Sequence, residues 1–374
     1  MPARVRTLTL RELNRALLAR QILLKRQKLS VVDAVERLAC LQGQWAPSPY
    51  VALWSRLSGF ARERLTEPID RGEIVKATLM RATLHLVTAR EYPAYSLATM
   101  EGRFGAWRPP GGPALADLDT LHRAVMAFAA KNPRTRAEIQ DFIAGHLPPS
   151  AAKDEDDRLR NWFSWAAVAT SGLVWESAGA HFEHRQLGRH IAPPPKLRKA
   201  PKPAAAYELV VRRHLGAFGP ATVADIATWS SIRVPNIRSA LAQMKDLRRF
   251  TDERGRELID LTSAPRPSAD VVAPPRFLAR FDAAILGHAA PERTRILPEA
   301  YRKAVIFSAE VWPTFLVDGM VAGRWTIAAR PKEAVLELKP FKPLSRADRL
   351  ELVEEGEGLV RFYAPESKTH AVRA

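Results

Sequence analysis

The chain has 374 residues, with 57 Lys and Arg against 40 Asp and Glu, a formal net charge of +17 and a single cysteine, Cys40. That length suffices for two or three domains whose cores need no staples, and one cysteine excludes an intrachain disulfide or a multi-cysteine metal site, as suits a reducing cytoplasm. Charges throughout residues 1–26 read against a secretory signal, no stretch of about 20 apolar residues could span a membrane, and the basic balance favours an acidic polymer as partner, nucleic acid first.

Thr9 and Glu12 have the spacing of a capping box opening an amphipathic helix to about residue 26, with Leu10, Leu13, Leu17 and Leu24 as its apolar stripe. Ser30 and Asp33 predict a second helix over 30–42, which places Val31, Val35, Leu38 and Gln42 on one face. Gly43 then reads as a helix stop, and Pro47 and Pro49 forbid continuation. A bend at Gly43 would let the amides of Gln42 and Gln44 converge on one point and hold a water. Helices follow at 48–57, entered through Pro49, and at 60–71, interrupted near Pro68 and stopped by Gly72. Residues 74–79 and 82–87 read as a hairpin in which Arg81, Thr83 and His85 share one face. Helices followed by a two-stranded hairpin make a winged helix-turn-helix.

The same order recurs twice. After a linker at 108–113 come helices at 118–130, from Thr135 with its Glu138 capping box to about 147, and at 157–170, then a wing of 173–176 and 181–184 around Gly179. After a proline-rich connector at 192–203 come helices at 205–215, 222–229 and 235–245, then a wing of 247–251 and 257–261. Three copies at about 100-residue spacing are a repeated module rather than a solenoid period. Beyond a linker at 264–276 the chain reads as mostly β. Asp318-Gly319 joins two strands, further strands fall at 325–327, 334–338 and 359–363, a helix at 345–355, and the tail after Ser367 is read as frayed. The fold class is α+β: three tandem winged helix-turn-helix modules (1–107, 114–191, 204–262) and a small C-terminal β-barrel-like domain (276–366), C-shaped overall.

His181, His184 and His190 lack a zinc spacing and are read as wing residues, and Asp282 and His288 as supports of a turn. Trp45 and Tyr50 are candidates to pack against bound nucleic acid, with a core role as the alternative. Arg233, Arg238, Lys245, Arg248 and Arg249 surround the third module's recognition helix and wing and are candidate phosphate contacts, or else a solvated charged face.

Gln42-Gly43-Gln44 resembles the Gln-x-Gln catalytic motif of the AlkZ-like DNA glycosylases, which share a superfamily with the YcaQ enzymes, whose motif ends in Asp. Residues 81–86 (RATLHL), 218–222 (FGPAT), Trp229-Ser230, Phe281-Asp282, 286–288 (LGH) and 314–319 (TFLVDG) carry the same resemblance across nearly the whole chain. It implies hydrolysis of the N-glycosidic bond of alkylated purines, chiefly N7-alkylguanine and including interstrand crosslinks, in double-stranded DNA. It also implies bacterial DNA repair without metal or nucleotide cofactor, by a cytoplasmic, nucleoid-associated monomer. On that reading Gln42 and Gln44 are catalytic, with Arg81, Thr83 and His85 supporting.

An N7-alkylated guanine already carries positive charge, so its departure needs no general acid; what remains is to place a water near C1′. A non-catalytic winged-helix transcriptional regulator is the main alternative, and a dimer on a palindrome would mark it. An interaction protein built around the barrel is the third reading, and salt-dependent retention on duplex DNA separates it from the others. A bulky crosslink does not fit a snug base-flipping pocket, so an open cleft is expected.

Overall fold

The computed structural model describes residues 5–107, 118–146, 168–184 and 188–374. The linker at 108–113 and most of the helix expected over 157–170 lie outside the described residues, and the helix expected to end near 147 ends at Ala144.

The capping signals are real. Thr9 accepts from the Glu12 N–H at 3.2 Å while Glu12 accepts from the Thr9 N–H at 2.8 Å, opening the helix Leu10–Arg20. The same reciprocal pair opens Arg136–Ala144 and Val223–Ser230, and Ser30 caps Val31–Arg37. The helix ends are where expectation fails. The first stops at Arg20, six residues early, because Arg20 turns inward to Asp260 and Gln21 donates to the Ala217 carbonyl. The second stops at Arg37, with Ala39 at φ 69°, and Leu41–Gln42 is a strand. Gln42 therefore does not end a helix.

That strand (β2, following β1 at Thr7–Leu8) begins a five-stranded sheet. Its other members are β3 (Ile74–Thr78), β4 (Leu84–Thr88), β5 (Val174–Trp175) and β6 (His190–Ile191), in the order β2-β4-β3-β5-β6 and antiparallel throughout. The second wing is thus not a separate hairpin. Val174 pairs with Ala77 of the first, its partner strand is His190–Ile191, and residues 177–180 form a 3-10 turn. Lys76 secures the join: its buried ammonium donates to the Gly179 carbonyl at 2.9 Å and lies 3.9 Å from the Trp175 ring centre.

The third set of elements follows the expected order. Helices Pro203–Phe218, Val223–Ser230 and Val234–Gln243 precede an antiparallel hairpin of β7 (Leu247–Asp252) and β8 (Glu257–Leu261). β1 pairs in parallel with β7, so the start of the chain is stitched to this distant hairpin. Arg20 and Asp260, both fully buried, reinforce the tie with two bonds of 2.7 and 2.8 Å.

The C-terminal part corrects the barrel. After β9 (Arg276–Leu278) and a small hairpin of β10 (Ile306–Phe307) and β11 (Glu310–Val311) come β12 (Thr314–Val317), β13 (Met320–Ala329), β14 (Glu333–Pro340) and β15 (Thr369–Arg373). They form an open sheet in the order β15-β14-β13-β12-β9, with two free ends and no closure. Asp318 at φ 44° and Gly319 at φ 78° make the expected tight turn between β12 and β13. The run 359–363, expected as a strand, ends the helix Arg346–Tyr363 instead. Leu352, Gly356, Leu359 and Val360 keep a helical period and face the sheet, where Gly356 lets the backbone approach Leu336 and Val372. The tail is not frayed: residues 369–373 pair in parallel with β14 and form the sheet edge. No helix among the described residues is long and apolar enough to cross a membrane.

Candidate active site

A strand end and the bend after it, not a helix end, carry the two glutamines. Gln42 lies opposite His85 in the β2–β4 ladder, and the Gly43 N–H still bonds the Leu84 carbonyl at 2.7 Å. Gln42 ends the strand, and Gln44 lies in the bend that follows it. Gly43 is needed for close packing rather than for a helix stop: a Cβ there would stand 2.6 Å from Leu86 Cδ1.

Both amides are held by one short turn. Arg81 Nη2 donates to Gln42 Oε1 at 2.8 Å, and the Leu84 N–H donates to Gln44 Oε1 at 3.2 Å. A guanidinium and a backbone N–H can only donate, so they fix which end of each amide is oxygen. Each oxygen keeps a second lone pair, and each amide nitrogen keeps its donors for another partner. Gln42 is buried to 8 % exposure while Gln44 is open to solvent. The pair therefore spans the wall of the protein from inside to outside.

The turn is unusual. Arg81 and Ala82 both sit at positive φ, 53° and 54°, a conformation that side-chain-bearing residues rarely adopt. It is held by the Leu79 N–H to the Thr83 carbonyl at 3.0 Å and by Thr83 Oγ1 to the Met80 carbonyl at 3.1 Å. The third set of helices holds it from the other side. Arg81 Nη1 donates to the Trp229 carbonyl at 3.0 Å, and its N–H to Ser231 Oγ at 3.2 Å. Burial lowers the guanidinium to about 10, which leaves it charged at neutral pH.

The expected shared strand face of Arg81, Thr83 and His85 is not present, because the strand begins at Leu84. Thr83 locks the turn. His85 is fully buried beside Gln42, with Nδ1 2.9 Å from the Thr83 carbonyl. That contact places the proton on Nδ1 and leaves Nε2 as a buried lone pair with no partner among the described residues. Burial first, then the Arg81 charge, pushes its pKa down to about 3, so it is a neutral imidazole.

Of the aromatic candidates, Trp45 is 40 % exposed beside the motif, as a surface role needs. Tyr50 is fully buried, its ring edge-on to Phe182 and its hydroxyl 3.0 Å from Thr66 Oγ1; it is a core residue and cannot touch DNA. Arg233, Arg238, Lys245, Arg248 and Arg249 are all exposed on or around Val234–Gln243 and β7. Arg233 and Arg249 are already paired, with Glu101 and Glu257. His181 pairs with Asp70, and His184 and His190 lie edge-on to Trp175. Asp282 binds Arg56 in a buried pair, and His288 Nε2 bonds the Phe218 carbonyl, so both are structural.

Sequence reasoning missed two pairs of residues beside the site. Trp229 and Ser231 hold the Arg81 turn from about 150 positions away, a contact with no local signal. Trp312, 36 % exposed, and Arg280 face Trp45 across a cleft beside the motif.

A buried glutamine at the end of β2 and an exposed one in the bend after it are thus both held by a turn with two residues at positive φ. Comparison with known proteins gives the class. The family model described as AlkZ-like, DNA glycosylase AlkZ-like, matches residues 35–362, and the chain belongs to that family of DNA glycosylases. A Streptomyces sahachiroi protein described as an interstrand DNA cross-link repair glycosylase is 28 % identical over 355 residues, covering 87 % of this chain and 89 % of the relative. The solved Streptomyces sahachiroi DNA glycosylase AlkZ superposes with a TM-score of 0.78 at 23 % identity, over 98 % of this chain and 99 % of that one, and shares its fold.

Proposed function

We propose that this glycosylase hydrolyses the N-glycosidic bond of cationic N7-alkylguanine lesions in duplex DNA, interstrand crosslinks included, with Gln42 and Gln44 positioning the attacking water. The observation that carries this reading is the common mount of the two amides on the 81–84 turn. Their relative position is set before substrate arrives, and pre-set orientation supplies part of the barrier reduction.

The residues fit a reaction that needs no acid. Glutamine neither gives nor takes a proton at neutral pH. His85, the nearest titratable ring, is neutral and buried. The leaving group must therefore already be activated, as a positively charged purine is. The water accepts from an amide N–H, donates to an amide oxygen, and attacks C1′ as the glycosidic bond breaks. The proton it sheds passes to solvent through the exposed Gln44 side.

Val234–Gln243 and the β7–β8 hairpin are the duplex-binding element, with Arg238, Lys245 and Arg248 on phosphates. One monomer suffices, because the glutamines and their mount belong to a single chain. The test is release of 7-methylguanine against release of uracil from matched duplexes. The cationic base is expected to be released and the neutral one to be a poor substrate; equal rates on both would overturn the water-positioning account.

A further inference from the structure

Beside Gln42 lies a narrow recess of about 10 Å3, room for about one water molecule. Gln42 and Ser48 both line it. Ser48 also lines the open cleft next to the motif, so the recess adjoins the surface.

Most polar side chains around the recess are already satisfied. Arg56 donates to both oxygens of Asp282, at 3.0 and 2.7 Å. Gln21 donates to the Ala217 carbonyl at 3.0 Å and accepts from Arg56 at 3.3 Å. Arg280 is paired with Glu310. Ser48 is the exception. It is 3 % exposed, and its Oγ has no hydrogen-bond partner among the described residues, while its N–H bonds the Trp45 carbonyl at 3.0 Å. A buried hydroxyl without a partner is costly, and the great majority have one. The second open group is the Gln42 amide nitrogen. Arg81 fixes the oxygen end of that amide, and the nitrogen end keeps its two donors. An amide that donates and a hydroxyl that both donates and accepts, beside room for one water, are the parts of a water site.

We propose that Ser48 is a third residue of the hydrolytic site, its hydroxyl holding the attacking water against the Gln42 amide. The proposal rests on the reading that Gln42 positions that water. The water accepts from the Gln42 N–H and donates to Ser48 Oγ, which leaves its second lone pair for the sugar. The bond changes are those of the glutamine mechanism. The water oxygen bonds C1′, the electron pair of the C1′–N9 bond leaves with the base and cancels its positive charge, and the water's proton goes to solvent. Ser48 keeps its own proton throughout.

The test is single-turnover release of 7-methylguanine from duplex DNA by the full-length chain, with a thermal melt on each preparation. Ser48→Ala is expected to lower the rate at saturating DNA by about 10-fold, with the half-saturating DNA concentration and the melting midpoint unchanged. Ser48→Cys keeps the shape of serine but offers only a weak hydrogen-bonding sulfur, and is expected to be as slow as Ser48→Ala. Ser48→Thr keeps the hydroxyl and is expected to recover most of the rate. A wild-type rate in Ser48→Ala or Ser48→Cys overturns the proposal. Gln42→Ala, measured alongside, tells that failure from failure of the glutamine mechanism: it is slow in the first case and runs at the wild-type rate in the second. A slow Ser48→Ala with a matching fall in melting midpoint, and no recovery in Ser48→Thr, makes Ser48 a packing residue and also overturns the proposal. Absence of release by wild type overturns the glutamine reading and this inference together.

Discussion

Arg81 Nη2 stands 2.8 Å from Gln42 Oε1 while Nη1 of the same guanidinium reaches the Trp229 carbonyl at 3.0 Å. One side chain thus fixes a glutamine of the first sheet against the C-terminal end of a helix in the third set. A lysine could make either contact but not the two together, because it lacks the planar fork. Arg81→Ala and Arg81→Lys are both expected to lower release of 7-methylguanine, by about 10- to 100-fold, as the loss of one charge-assisted hydrogen bond suggests. The loss should fall on kcat and spare KM, since Arg81 positions an amide rather than binding DNA. Single-turnover rates at saturating DNA read this directly.

Gly43 is the second point of leverage. An added Cβ would meet Leu86, which is 1 % exposed and has little room to yield. Gly43→Ala is expected to cost about 1–3 kcal/mol of stability by overpacking. It should also slow base release, because Gly43 joins the two glutamines and a shift there moves both amides. A thermal melt read alongside the single-turnover rate measures both.

The buried histidines set the response to acid. Burial lowers His85 to about 3 and His190 and His214 to about 4, against an ordinary value of 6.5. Between those limits the unfolded chain binds more protons than the folded one, so stability is fully present above pH 6.5 and is lost as pH falls towards 4 and 3. Each such group contributes about 1.4 kcal/mol per pH unit within its window. Denaturant melts from pH 7.5 down to 4 are expected to show this decline. The single-turnover rate on folded enzyme should instead stay flat from pH 6 to 8, because neither glutamine titrates and His85 remains neutral. A bell-shaped profile would reveal an acid or base that this mechanism lacks.

Arg238, Lys245 and Arg248 are exposed, and none of them is in an ion pair with an acidic side chain among the described residues, which leaves their charges available for phosphates. Each substitution by alanine is expected to reduce the slope of log binding constant against log salt by about 0.9, uniformly across DNA sequences. Arg249, already paired with Glu257, should change it less. Titrations at several salt concentrations separate the two behaviours.

Local signals carried much of the fold. Thr9, Thr135 and Thr222 cap helices because an oxygen one turn ahead of a carboxylate satisfies the same orphan donors in any context. Asp318-Gly319 turns a hairpin for equally local reasons. What failed depended on distant partners. Leu41–Gln42 is a strand because Leu84–Thr88 offers it an edge, although the helix Val31–Arg37 ends only three residues before it. Residues 359–363 have strand-like composition but continue a helix whose other residues already face the sheet. The second wing dissolved into the first sheet because Ala77 pairs with Val174 across almost 100 positions. At the site, the glutamines and Arg81 could be singled out as residues, but their geometry could not. It depends on β2–β4 pairing and on Trp229 and Ser231, which nothing near residue 42 announces. Tyr50 was open to two readings, contact with DNA or a place in the core, and Phe182 and Thr66, which enclose it, put it in the core.

The central claim is that the two mounted glutamines perform the chemistry. Its most direct test is base release from duplex DNA carrying 7-methylguanine, by wild type, Gln42→Ala and Gln44→Ala, with duplex binding measured on the same preparations. The account requires release by wild type and its loss in either variant, by about 100-fold or more, while binding persists. Release by either variant at the wild-type rate would contradict it and place the reacting water elsewhere.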